Sequence, residues 1–281
     1  MHEQLYDITI AESRSAHLQG HLLLEVGQTL FAYTVLDAEK KLLQLRVYRI
    51  AIPGNGDLAL EVGQIIRGEP ALQGSYESTT IVYNFPENVI VPETGFSAGN
   101  GGALVELMHG DLNKGITLSE RIQGRSFYNV YRVPLDVHRL LQRQYNHGKS
   151  WHYYSLWRLL EDRRETPDST SFCVTFYPNR LMVMVTRDNV LQVVQAFEYE
   201  VAGDVAYYLL NICRQLLLSP ESVVMHLSGM IDESSSLYLE IIKYFGKAAM
   251  DHFAYAASVP ALREYPEHFF SPLLNMALCV S

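Results

Sequence analysis

Apolar residues along the chain fall into short runs divided by turn residues, and one succession of runs occurs twice. The clearer copy covers Thr170 to Val201: TSFCVTFY, RLMVMVTR and NVLQVVQAFEYEV, broken at Pro178-Asn179-Arg180 and Arg187-Asp188-Asn189. β-Branched and aromatic residues closed off by such turns predict a three-strand meander. A helical stretch, Asp204–Leu218, follows. About 150 residues earlier the order is the same: HLQGHLLLEV, TLFAYTVLD and KLLQLRVYRI, then a helical stretch at Asp57–Arg67.

Each copy continues with alternating helix and strand. In the first, Ser78–Phe85 and Phe127–Val133 read as strands and Leu135–Tyr145 as a helix. Pro134 suits that helix's first turn, where no N–H is needed. Between the two strands, Pro86 and Pro92 bracket a short turn region holding Val89-Ile90-Val91. The glycine-rich segment Gly95–Gly102 then leads into the helical ALVELMHG. The second copy runs Val223–Leu227 (strand), Ser236–Phe245 (helix), Phe253–Val259 (strand) and Glu267–Cys279 (helix). Three antiparallel strands followed by helix and strand in alternation predict a mixed five-stranded sheet flanked by helices, twice over. The expected division is 1–150 and 151–281, two α/β domains in tandem.

Composition adds limits. With 48% hydrophobic and 19% charged residues the chain is of ordinary globular type. Its net charge of −9 opposes non-specific nucleic-acid binding. Cys173, Cys213 and Cys279 have neither ligand nor disulfide spacing, which fits reduced, buried thiols. MHEQLYDITIAESRS lacks the basic start and apolar core of a signal peptide, and no run is long enough to span a membrane. A cytoplasmic location is expected.

The doubled strand–strand–strand–helix–strand–helix–strand–helix unit resembles the actin-like ATPase (ribonuclease H-like) architecture of actin, sugar kinases and chaperone ATPases. It is similar also to actin-like cytoplasmic components of pilus and secretion machinery. More closely, the chain resembles an uncharacterised bacterial family with this fold and no assigned activity. The resemblance implies that the first turn of each half cradles phosphate, through an Asp-x-Gly whose carboxylate holds hydrated Mg²⁺. Here the first turn reads Leu24-Glu25-Val26-Gly27-Gln28-Thr29, with Glu in place of Asp. The second reads Tyr177-Pro178-Asn179-Arg180, with neither glycine nor carboxylate, and its proline lacks a donor. The implied adenosine loop falls at His226–Asp232, where Ser228-Gly229 supplies one glycine instead of a pair. If ATP and Mg²⁺ bind, Glu25, Gly27, Gln28, Thr29, Ser228 and Gly229 are the residues implied to line the cleft.

Other candidates carry less. His147-Gly148-Lys149-Ser150 mimics the end of a P-loop, but Arg143 stands where its upstream glycine belongs and a helix precedes it. Gly95–Gly102 could present N–H groups to an anion. His17 and His21 have no third ligand at metal spacing, and nothing marks a nucleophile. The stretch 121–164 is basic within an acidic chain: Arg121, Arg125, Arg132, Arg139, Arg143, Lys149, Arg158, Arg163 and Arg164 oppose Asp136, Glu161 and Asp162. Trp151, Trp157 and several tyrosines are interleaved, as in surfaces that stack bases. The plainer reading is a junction between halves. The apolar run from Phe269 to Val280 reads as a docked core helix.

With incomplete phosphate and adenosine loops, no cofactor is expected. The expected function is a non-catalytic or weakly nucleotide-binding scaffold for a protein partner. A nucleic-acid-associated protein using 121–164 and an active ATPase are the alternatives.

Overall fold

The structure is a computed structural model that describes all residues except 11–19, 53–56, 98, 112–113, 162–169, 252–254, 256–258 and 281. His17, Asp162, Arg163, Arg164, Phe253 and most of the strand expected at Phe253–Val259 therefore lie outside the described residues. The chain divides into two compact units, Met1–Glu161 with Asn275–Ser281, and Asp162–Leu274.

In the first unit the meander is β2 (His21–Gly27), β3 (Leu30–Leu36) and β4 (Leu42–Ile50), antiparallel throughout. Every residue of β3 is buried, so its pattern is a continuous apolar run and not an alternation. Helix α1 (Leu58–Gly68) starts at Asp57, whose carboxylate accepts the N–H groups of Ala59 and Leu60. It buries Val62, Ile65 and Ile66 on the core of Leu22, Leu24, Phe31 and Tyr33. The chain returns as β5 (Ser78–Asn84), parallel to β2.

Next come β6 (Asn88–Pro92), α2 (Gly101–His109), β7 (Gly115–Arg121) and β8 (Phe127–Pro134), where β6, β8 and β7 make a separate three-stranded sheet. Helix α3 (Leu135–Gln144), strand β9 (Lys149–His152) and helix α4 (Tyr153–Glu161) complete this part.

The second unit holds β10 (Thr170–Tyr177), β11 (Arg180–Arg187), β12 (Val190–Glu198), α5 (Ala202–Gln215), β13 (Val224–Gly229), α6 (Ser236–Ile241) and β14 (Ala248–Met250). Helix α7 (Ser271–Val280) closes the chain, with Pro272 in its first turn. The sheet order β12-β11-β10-β13-β14 has the order and strand senses of β4-β3-β2-β5-β9. The match extends to single residues. Leu30 faces Arg49 just after one hairpin tip, and Arg180 faces Glu198 just after the other. Both third strands slip by one residue, at Leu43 and at Gln192.

Four expectations need correction. The first sheet has six strands, because β1 (His2–Thr9) pairs antiparallel with the outer edge of β4. Phe127–Val133 joins the small sheet, together with Val89-Ile90-Val91, which is strand and not turn. The fifth place in the first sheet belongs to β9, whose sequence Lys-Ser-Trp-His has no apolar run to announce it. In the second sheet the fifth strand is Ala248–Met250, ahead of the expected position.

Candidate functional site

In open α/β sheets, ligands bind outside the carboxyl ends of the parallel strands. In the first unit that end of β2 and β5 opens on a pocket of about 290 Å³. Gln28, at the β2–β3 tip, lines one side. Phe85, Pro86 and Glu87 come from the segment after β5, Lys114 from just before β7, and Arg132 and Pro134 from β8.

Arg132 and Glu87 are locked together. The guanidinium lies 3.1 Å from the Glu87 carboxylate and donates to the Gly110 carbonyl at 3.0 Å, while the Arg132 N–H donates to the Glu87 carbonyl. Arg132 is 7% exposed, so this charge pair is held in place inside the wall. Lys114 is exposed at the mouth.

Of the residues expected at the phosphate turn, Gln28 reaches this pocket. Glu25 is buried three residues earlier, on the sheet face opposite to Leu24 and Val26, and accepts a 2.6 Å hydrogen bond from the Asn84 amide. Gly27 lies in parallel register with Asn84. The Thr29 carbonyl accepts the Ile50 N–H. Glu87, Lys114 and Arg132 escaped the sequence reading as a site, since only the fold brings three separate segments to one place.

A second polar group lies behind the Phe85 carbonyl. His152, fully buried, accepts the Tyr154 N–H on Nδ1 and so donates from Nε2 to the Phe85 carbonyl at 3.0 Å, as the neutral tautomer. The Glu120 carboxylate accepts from the His152 N–H at 2.9 Å and from the Tyr131 hydroxyl. Burial pushes the Glu120 carboxyl up to about 7, against partial relief from these donors. Asn129, also buried, donates to Ser155 and accepts from Asn88.

The second unit disposes of its equivalents differently. Its tip, Pro178-Asn179, is closed by Tyr199, whose N–H donates to the Asn179 carbonyl and whose hydroxyl donates to the Tyr177 carbonyl. Arg180 stacks over the Tyr177 ring at 5.3 Å. The Ser228 hydroxyl points into the sheet, 3.0 Å from that of Thr175. Gly229 has φ +79°, and an added Cβ would stand 2.3 Å from the Phe176 carbonyl oxygen. Its N–H donates to the His268 carbonyl and that of Met230 to the Phe176 carbonyl. The N–H groups of Gly229 and Met230 are thus engaged within the unit.

The basic stretch does not form one surface. Trp157, Tyr153, Tyr154 and Arg158 are buried, and Arg132 is in the pocket wall. Arg121 pairs with Glu93 at 3.2 Å and Arg139 with Asp136 at 3.8 Å. Arg143 and Lys149 are exposed, Trp151 half-buried, and Arg125 lies in the β7–β8 turn. Aromatic faces that bases could stack on are mostly inside the core. Cys173 and Cys213 are buried free thiols. Among the described residues no helix is long and apolar enough to cross a membrane.

This geometry has relatives among solved structures. A Bacteroides thetaiotaomicron protein described as having an actin-like ATPase fold and unknown function superposes with a TM-score of 0.78 at 14% identity, over 95% of this chain and 98% of that one. A chain of a PilM–PilN type IV pilus biogenesis complex gives 0.57 at 13% identity, over 92% and 98%. The ethanolamine utilization protein EutJ from Carboxydothermus hydrogenoformans gives 0.50 at 9%, over 92% and 88%. At such identities the likeness establishes the fold, an actin-like ATPase fold, and nothing about activity. No curated protein matches by sequence. A family model described as a protein of unknown function, DUF3822, matches residues 13–247, and the chain belongs to that family.

Proposed function

We propose that this protein is a scaffold of actin-like fold that binds a protein partner and is non-catalytic or only weakly nucleotide-binding. The carrying observation is the state of the second unit's loops. Its hairpin tip is a Pro-Asn turn, where Pro178 brings no N–H and Tyr199 holds the Tyr177 and Asn179 carbonyls, and the N–H groups of Gly229 and Met230 already have acceptors. A phosphate or adenosine site in this fold needs those donors free. In the first unit the candidate carboxylate, Glu25, is occupied with Asn84 in the sheet interior. A similar chain occurs in a PilM–PilN complex, which supports the use of such a shell as a binding partner. The residue-by-residue match of the two sheets supports duplication of one unit.

Calorimetric titration with ATP and Mg²⁺, paired with thermal shift, tests this. The expected result is a dissociation constant weaker than about 100 μM, roughly −5.5 kcal/mol. If weak binding is found, a bulky residue at Gly27 abolishes it. Tight binding with phosphate release overturns the reading in favour of an ATPase.

A further inference from the structure

The two meanders end differently at their outer edges. In the first unit β1 pairs with β4 from His2 opposite Ile50 to Thr9 opposite Gln44. The corresponding strand β12 pairs with β11 on one side, and among the described residues no strand lies on the other. An open edge presents a row of backbone donors and acceptors ready for another strand. The one-residue slip at Gln192 does not block this, because β4 has the same slip at Leu43 and carries β1 all the same.

The surroundings suit an incoming chain. Val190, which opens β12, and Val201, three residues beyond its end at the cap of α5, are both exposed. Tyr207 is 66% exposed and adjoins Tyr208, which stacks on Phe197 of β12. Leu217 is 92% exposed, and the neighbouring Leu216 carbonyl accepts from Arg187, the residue paired with Val190. Apolar side chains bare to water thus flank both ends of this edge in the chain and adjoin residues that touch its neighbours.

The register also states the charge. Asp7 and Glu3 of β1 face Arg46 and Arg49 of β4, and Ile8 faces Leu45. The matching residues of β12 are Gln195, Glu198 and Val194. Glu198 and Glu200 are exposed. A strand that fits here is apolar opposite Val194 and basic opposite Glu198. The β1 strand of a second copy would set Glu3 against Glu198. Two β12 edges together would join two molecules that each carry −9.

We propose that the outer edge of β12 is a strand-docking site for an extended segment of a partner protein, entering antiparallel with a basic residue opposite Glu198. This rests on the scaffold reading and names the kind of partner. Main-chain pairing supplies affinity in such a complex and side-chain pockets supply selectivity.

The test uses full-length protein and two synthetic peptides: residues 1–10 of this chain, and the same peptide with Glu3→Lys. Hydrogen exchange reads which amides each protects at millimolar concentration. The Lys peptide is expected to protect Val190–Glu198 and to bind about five-fold tighter than its parent. Glu198→Lys on the protein should reverse the order. Protection confined to other segments, no protection from either peptide, or a preference indifferent to Glu198→Lys each overturns the proposal. So does a protein that sediments as a dimer with β12 already protected. A cellular partner whose binding ignores Glu198→Lys sinks the edge site and leaves the scaffold reading standing.

Discussion

The two hairpin tips occupy the same place in the same topology, yet one borders a pocket and the other is stoppered. At the first, Gln28 borders a space that the Arg132–Glu87 pair, Lys114 and Pro134 help to enclose. At the second, Tyr199 holds the Tyr177 carbonyl and Arg180 lies over the Tyr177 ring. The interiors differ in parallel. Just inside one tip lies a buried carboxylate, Glu25, held by Asn84; at the matching position lies Thr175, held by Ser228. One backbone plan therefore accommodates a carboxyl group in one unit and hydroxyls in the other. In each case the next parallel strand supplies the partner that makes burial tolerable.

The strongest way to break this comparison is to strain the unit with the tighter loop. Gly229→Ala forces a side chain into left-handed backbone and against the Phe176 carbonyl. A loss of about 3 to 4 kcal/mol is expected in denaturant unfolding, registered first in amides of β10 and β13. A loss below 1 kcal/mol would mean that the loop relaxes freely.

The titration of Glu120 sharpens the contrast from the other side. Its carboxyl rises from an ordinary 4.5 to about 7 in the folded protein, so folding favours the protonated form. That contribution is complete below about pH 4.5, fades as pH rises to about 7, and is absent above, a change of up to about 3 kcal/mol. Glu120→Gln should flatten the stability profile across this window, and hydrogen exchange should place the change in β7 and β8. The Thr175–Ser228 pair does not titrate, so amides of β10 and β13 should not follow it.

A smaller effect is expected at the edge. Ile8 is 3% exposed, opposite Leu45. Ile8→Ala should cost about 2 kcal/mol and loosen β1, giving the first sheet the bare margin of the second. If exchange along β4 then remains slow, the added strand is ornamental and the two edges differ less than their pairing implies.

Much of this architecture was legible because buried meanders announce themselves. TSFCVTFY and RLMVMVTR have the uninterrupted apolar character of strands covered on both faces, and both are strands as read. The strands that escaped notice are the polar or short ones. HEQLYDIT is interrupted by Glu3, Gln4 and Asp7 because one of its faces meets water, and Lys-Ser-Trp-His takes its place by pairing, not by pattern. The site was less legible still. Gln28 could be found from the turn, but Arg132 and Glu87 acquire their roles through contacts that no spacing rule describes. Trp157, conspicuous in the sequence as part of a basic aromatic run, is core.

The open margin of β12 has a colloidal consequence. The strand carries no lysine and no proline, so its side chains do little to discourage neighbouring molecules from adding edge to edge. What keeps them apart at neutral pH is bulk repulsion, from a net charge of −9. That repulsion is screened by salt and vanishes near the isoelectric point of about 5.6. Concentrated solutions should therefore turn turbid first in mildly acidic, salty buffer, and a bound strand should clear them.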